Sequence, residues 1–299
     1  MKNIGMVGAS GLMGHGIAKN LLAKGFGLSL TVHRNRERVA DLLAAGGKQA
    51  ANVAELGACD AVIICVTGSP QVEEVLIGEQ GILSKAKPGL IVIDTSTSEP
   101  ESSRRLAALC QARGAVFVDA PLARTPVEAE LGKLNTMVGA EPAVFEKIKP
   151  VLQAYCENIF HVGGPCAGHI VKLLNNFVGQ AICTATAEAF ATGALAGIDP
   201  QQLVNVISAG AVNSGLFQAM AKTLQGDFTG LKFELDNARK DLRYYTHLAE
   251  SVKVPALLGE AVHQSLVTAS ALGQGQKFVP ALVTAQEKLT GAKIAPKSA

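Results

Sequence analysis

Residues 4–22 constrain the fold of this chain more than any other stretch. Ile4-Gly5-Met6-Val7 has the composition of a short buried strand. Gly8-Ala9-Ser10-Gly11-Leu12-Met13-Gly14 follows, and Ile17, Ala18, Leu21 and Leu22 then recur at helical spacing. A strand that turns through glycines into a helix is the first half of a βαβ unit, whose crossover returns the chain to a parallel neighbour. Glycines let the backbone turn sharply and approach a pyrophosphate with no Cβ in the way, and a helix N-terminus offers N–H donors and a positive dipole end. The expectation is a dinucleotide cradle made by Gly8, Ser10, Gly11, Leu12, Met13 and Gly14. Its spacing, G-x-x-G-x-x-G, is one residue longer than the G-x-G-x-x-G fingerprint. A glycine turn that merely joins strand to helix is the alternative.

The next strand bears on the kind of dinucleotide. Leu28 to Val32 alternates apolar and polar residues and runs into His33-Arg34-Asn35-Arg36, where an NAD-selective site would carry an acid for the ribose 2′-hydroxyl. No acid stands there. Arg34 and Arg36, beside His33, offer guanidinium forks suited to a 2′-phosphate, so the expected cofactor is NADP(H) in preference to NAD(H). A solvated basic loop opening the next helix is the other reading of these arginines.

Further apolar runs at Cys59–Val66, Leu90–Ile93 and Val116–Val118, with Leu134–Val138 and Ile159–Val162 after them, are separated by helical segments. That alternation predicts a doubly wound α/β sheet of Rossmann type over residues 1–164. Ligands of such sheets lie beyond the carboxyl ends of the strands, so the turns beginning at Gly8, Thr67, Asp94 and Asp119 are expected to share one rim. Val66, Thr67 and Ser96 are weaker candidate cofactor contacts there. Residues 165–197 read as one long helix rich in Ala, Gly and Thr, expected between domains or subunits. Every segment of 198–299 has helical period, which predicts an all-α second domain for substrate binding and oligomerisation.

Lys and Arg total 27 against 25 Asp and Glu, a net charge of +2, so no global field points to nucleic acid or an anionic membrane. Six scattered cysteines show no metal-ligand spacing and read as reduced, mostly buried thiols, and no metal site is expected. Met1-Lys2-Asn3 leads straight into a strand without a signal sequence, which makes the cytoplasm the default location. The most apolar stretch, Ile170 to Ile198, contains Lys172, Asn175, Asn176, Gln180 and Glu188, and so reads as a soluble helix rather than a membrane span.

Lys172, Asn175 and Asn176 can share one face near the start of that long helix, close in sequence to the last strand of the cofactor domain. Taken with the N-terminal turn bearing Met13-Gly14 and Asn20-Leu21-Leu22, with Asp119-Ala120-Pro121 through Gly132 to Met137-Val138-Gly139, with Gly168 through Lys172 to Asn176, and with Lys240-Asp241-Leu242, the whole chain resembles the β-hydroxyacid dehydrogenase family. That family includes 3-hydroxyisobutyrate dehydrogenases, tartronate semialdehyde, glyoxylate/succinic semialdehyde and sulfolactaldehyde reductases. The resemblance implies that Lys172 is the acid/base for the carbonyl oxygen, that Asn176 orients substrate with Asn175 beside it, and that Lys240 lies by substrate and nicotinamide with Phe233 near. An ammonium suits that role, because it can stabilise a developing alkoxide and hand over its proton.

The substrate loop departs from the family pattern. Relatives read D-A-P-V-S-G-G where this chain reads Asp119-Ala120-Pro121-Leu122-Ala123-Arg124-Thr125. The resemblance therefore places Ala123, Arg124 and Thr125 at the substrate anion, with a charged fork in place of backbone donors. A similar Arg-Thr pair in the sulfolactaldehyde reductase branch suggests a strong or tetrahedral oxyanion, although Gly179 stands where that branch has a serine; an ordinary carboxylate is the other reading. The expected protein is a reversible NADPH-dependent reductase of a small aldehyde-acid, without nucleic-acid or membrane partners, as a homodimer or homotetramer. An imine reductase, or a non-catalytic NADP-binding structural protein, are the rival readings, and Lys172 argues against both.

Overall fold

The structure, a computed structural model, describes residues 1–32 and 36–296. The chain divides into two compact units, Met1–Lys172 and Leu173–Ala299. In the first unit β1 (Asn3–Val7) leads into α1 (Leu12–Ala23), β2 (Gly27–Leu30), α2 (Ala40–Ala44), β3 (Lys48–Gln49) and β4 (Ala61–Ile64). Next come α3 (Ser69–Ile77), β5 (Ile91–Asp94), α4 (Pro100–Ala112) and β6 (Val116–Asp119). The unit continues with β7 (Leu122–Ala123), α5 (Pro126–Glu130), β8 (Leu134–Gly139), α6 (Pro142–Leu152), β9 (Cys156–Gly163) and the start of α7 (Ala167–Leu195).

The strands form one sheet in the order β3-β2-β1-β4-β5-β6-β8-β7, with β9 paired to β8. The six strands from β3 to β6 are parallel, and β8 enters antiparallel to β6. Side-chain alternation explains why both faces are covered. Ile4, Met6, Ile63, Ile93 and Val118 join one buried cluster with Ile17 and Leu21 of α1, while Val7, Val62, Ile64, Val92 and Phe117 join another with Leu76 of α3 and Leu106 of α4.

The strands anticipated from sequence are present, with shifted ends. The apolar run 59–66 contributes only Ala61–Ile64 to the ladder. At its far end the Val66 N–H leaves the sheet and donates to Ser96 Oγ at 3.0 Å. At its near end the Asp60 carboxylate accepts from the N–H groups of Lys2 and Asn3 and pairs with Lys87. Those bonds hold its carboxyl well below the usual carboxylate range. The two-residue strands β3 and β7 carry no periodic signal, because they are too short to show one.

The second unit holds the rest of α7, α8 (Pro200–Ser208), α9 (Gly215–Ala221), α10 (Leu235–Ser251), α11 (Leu257–Ala269) and α12 (Leu282–Thr290). Among the described residues its only β feature is a bridge between Glu234 and Phe278. Local chemistry starts these helices: Asp199 caps α8 through the Gln201 N–H ahead of a first-turn proline, and Ser214 caps α9 through the Phe217 N–H. Phe177 stacks on Tyr245 at 4.2 Å, and Phe190 meets Phe217 edge-on at 6.3 Å. A Cβ on Gly179 would meet Leu216 at 3.2 Å and one on Gly193 would meet Leu203 at 3.7 Å, so part of the small-residue stripe of α7 admits its neighbours within this unit. No described helix is long and apolar enough to cross a membrane.

Candidate active site

The lengthened glycine turn is accommodated because each glycine serves a different end. Gly8 takes φ +90°, and a Cβ there would lie 2.0 Å from the carbonyl oxygen of Cys65, so it lets the ends of β1 and β4 meet. Gly11 donates its N–H to the Gly8 carbonyl and stands at the N-cap of α1 with extended backbone. A Cβ on Gly14 would lie 2.1 Å from the Gly8 oxygen, so Gly14 lets helix and turn close up. The helix start carries no side-chain cap and no acidic residue in its first turn, which suits an anion. Ser10 and Met13 are half-buried and Leu12 is exposed around it. A cradle that side chains would fill is thus kept open beside β1 and β4, where the strand order reverses; the residues present fit a dinucleotide pyrophosphate.

Of the basic candidates after β2, Arg36 is exposed, and His33 and Arg34 lie outside the described residues. Arg38 was not singled out from the sequence. It borders a cavity of about 250 Å³ together with Ser10, Gly11, Leu12, His15 and Glu130, at the start of α1.

The other rim turns are tied to one another. Ser96 is buried; its hydroxyl accepts from Val66 and its N–H donates to Asp94 Oδ1 at 2.9 Å, while Thr67 is exposed at the tip of its turn. Asp119, at the end of β6, is buried and anchors the start of α7: its carboxylate accepts from the N–H of Cys166 at 2.7 Å and of His169 at 2.8 Å. Burial pushes this carboxyl up, against the opposing pull of His169 and the two backbone donors. A Cβ on Gly168 would meet the Met137 oxygen at 2.3 Å, and one on Gly139 would meet Asp119 Oδ1 at 2.5 Å, so the helix start sits directly on β6 and β8. Half-buried Lys172 follows three residues after His169.

Arg124 occupies a conformation that suits glycine. Its φ is +82°, and Nη1 donates to the Lys133 carbonyl at 2.6 Å and to Glu157 at 2.5 Å. Both bonds leave from one nitrogen, so the remaining edge of the fork carries donors for a further anion. The Thr125 hydroxyl is structural. It donates to Glu128 and accepts from the Val127 N–H, completing a capping box for α5. Ala123 is half-buried in β7.

In the second unit, Asn176 is buried and donates Nδ2 to Asp241 Oδ2 at 2.6 Å, while its oxygen accepts from Asn175. Lys240 Nζ lies 2.9 Å from Asp241 Oδ1 and 5.0 Å from the Tyr244 ring centroid. Asp241, 2 % exposed, therefore fixes the amide of Asn176 and neutralises Lys240. Asp241→Asn removes the buried carboxylate that both Asn176 and Lys240 engage and is expected to cost about 3 kcal/mol of unfolding free energy, read by denaturant titration; a loss below 0.5 kcal/mol, roughly the scale of an ordinary surface substitution, would contradict this account.

Residues 3–163 match the model for the NAD-binding domain of 6-phosphogluconate dehydrogenase. Residues 166–285 match that for the NAD-binding region of NADP-dependent 3-hydroxyisobutyrate dehydrogenase. The chain is 32 % identical to 2-(hydroxymethyl)glutarate dehydrogenase of Eubacterium barkeri, over 97 % of each chain. It belongs to the β-hydroxyacid dehydrogenase family. L-threonate dehydrogenase of Cupriavidus necator is 34 % identical over 92 % of each chain. A crystal structure of 3-hydroxyisobutyrate dehydrogenase from Salmonella typhimurium superposes with a TM-score of 0.81 at 30 % identity, covering 95 % of this chain and 99 % of that one.

As a β-hydroxyacid dehydrogenase the chain is an oxidoreductase with a Rossmann-type nucleotide domain and an all-α second part. Sequence reasoning missed three residues that hold candidate site residues in place within their own units. Asp119 and Asp241 were visible only as parts of motifs, and what each holds, two backbone N–H groups and an amide, lies far away along the chain. His169 gave no signal at all, since a single histidine on an apolar helix face is ordinarily core.

Proposed function

We propose that this β-hydroxyacid dehydrogenase is a reversible NADP(H)-preferring reductase that interconverts a small aldehyde-acid, or its sulfonate counterpart, with the hydroxy acid. The observation that carries the reading is the seating of α7: buried Asp119 holds the helix start on β6 and β8, and Lys172 follows within its first two turns. When bound, the cofactor supplies or takes up the hydride at the substrate carbon. Lys172 holds the proton that goes to the carbonyl oxygen during reduction and takes it back during oxidation, and its charge stabilises the developing alkoxide. Asn176, one helical turn further on, orients substrate through an amide whose direction Asp241 fixes; Asn175 and Lys240 support that contact.

The cradle of Gly8, Gly11 and Gly14 holds pyrophosphate. Arg34 and Arg36 bind the 2′-phosphate, together with Arg38, which borders the cavity at the start of α1. Val66, Thr67 and Ser96 line the same rim.

Arg124 is assigned to the substrate anion on account of its backbone. A non-glycine residue at φ +82° is strained by on the order of 1 kcal/mol, a conformational cost that a side chain bound to substrate would offset. Arg124→Gly is expected to raise KM for the anionic substrate about 10- to 100-fold, the loss of one charged hydrogen-bonding group, with kcat changed less than about threefold. Steady-state kinetics at saturating NADPH reads the two constants apart. An unchanged KM would remove Arg124 from the substrate site.

A further inference from the structure

His169 is wholly buried in the first turn of α7 and lies among groups from three other elements. Its ring Nδ1 is 2.8 Å from the Ser103 hydroxyl on α4, its Nε2 is 3.6 Å from Asp94 Oδ2 at the end of β5, and its main-chain N–H is held by Asp119 from β6. Asp94 in turn accepts from the Ser96 N–H and the Ser98 hydroxyl, so it also fixes the turn after β5. Asp94 and Asp119 are register neighbours across β5 and β6, which puts this imidazole beside two buried carboxylates.

The proton pattern follows from the partners. The Ser103 hydroxyl has one proton and two acceptors in reach, His169 Nδ1 at 2.8 Å and the Glu99 carbonyl at 3.2 Å. A bare Nε2 would face the Asp94 carboxylate acceptor against acceptor, so the ring carries a proton on Nε2 whichever of the two acceptors the Ser103 proton takes, and that Nε2–H is directed attractively at Asp94. Even so, Nε2 lacks a hydrogen-bond partner at 3.6 Å, a buried shortfall that an apolar side chain of similar size would avoid. The polar cluster therefore does more than fill space.

We propose that His169 is a positioning residue for Lys172: with Ser103, Asp94 and Asp119 it forms a buried clamp that fixes the first turn of α7 to the strand-end rim, and so sets the point from which the Lys172 side chain departs. The proposal rests on the reading of Lys172 as the acid/base, and it adds that this lysine works at full rate only while the clamp is closed.

His169→Leu keeps the volume roughly and removes both ring nitrogens. His169→Gln can restore the pattern, accepting from Ser103 and donating to Asp94. The first readout needs no turnover: amide hydrogen exchange across residues 166–172 is expected to speed up at least tenfold in H169L and to return to within threefold of wild type in H169Q. The second is NADPH oxidation with succinic semialdehyde or glyoxylate. H169L is expected to lower kcat 10- to 30-fold, since small displacements of a reacting group have effects of this order, while the NADPH Kd moves less than threefold and H169Q recovers most of the rate. In a K172A background H169L should change the residual rate less than twofold, because a residue that acts only through Lys172 has nothing left to position.

Unchanged exchange in H169L would overturn the clamp. So would a kcat within twofold of wild type while K172A is inactive, or an equal H169L loss with and without Lys172, which marks a merely structural role. A fully active K172A, by contrast, would remove the acid/base reading itself, and the exchange result would still report on the clamp.

Discussion

Lys172→Ala is expected to lower kcat by about 10²-fold or more for reduction of the carbonyl substrate, with the Kd of NADPH changed less than about threefold. Both quantities are accessible on one preparation, kcat from NADPH absorbance and Kd from its fluorescence. The separation follows from where the residue sits. The glycine cradle and the arginines after β2 belong to elements near the N-terminus, whereas Lys172 enters on α7, held to β6 and β8 through Asp119. If Lys172 is the acid/base proposed above, removing the ammonium takes away the proton and the charge that would meet the forming alkoxide, and leaves the cradle intact. A loss of cofactor affinity as large as the loss of rate would place Lys172 in the nucleotide site instead.

Gly8→Ala has the largest expected effect on the nucleotide domain. At φ +90° any L side chain is strained, and here the new Cβ would also lie 2.0 Å from the backbone oxygen of Cys65, which cannot rotate away. The ends of β1 and β4 would have to part. We expect a loss of about 3 kcal/mol or more, a fall in Tm of roughly 6–12 °C for a unit of this size, and NADPH binding weakened at least tenfold. Gly11→Ala is the control: Gly11 does not have positive φ, and its Cβ would meet nothing nearer than the Gly8 oxygen at 3.1 Å, so its Tm should move by less than about 3 °C. Equal losses in the two variants would mean that the turn is not built as described.

The comparison of Gly8 with Gly11 also shows what was legible in the sequence. The strand, turn and helix were readable because periodicity and glycine are local signals. Which glycine carries the positive φ, which the cap and which the close contact depends on β4, more than fifty residues further along the chain. The all-α second part was legible for the same local reason, down to the Asp199-Pro200 start of α8. Arg124 and Thr125 stood out in the sequence as an unusual pair, but their partners did not: Thr125 is engaged with Glu128 in a helix cap, and Arg124 reaches Glu157 on β9. Asp119, His169 and Asp241 were the least readable. Each acts by holding something distant in sequence, and a single chain shows the residue types without their pairing.

The most direct test of the account is the oxidation of NADPH and of NADH by the purified protein against glyoxylate, succinic semialdehyde, methylmalonate semialdehyde, tartronate semialdehyde and sulfolactaldehyde. The account predicts turnover of at least one of these anionic aldehydes, with kcat/KM at least tenfold higher for NADPH than for NADH. Tight NADPH binding with no turnover of any of them, or a preference for NADH, would contradict it.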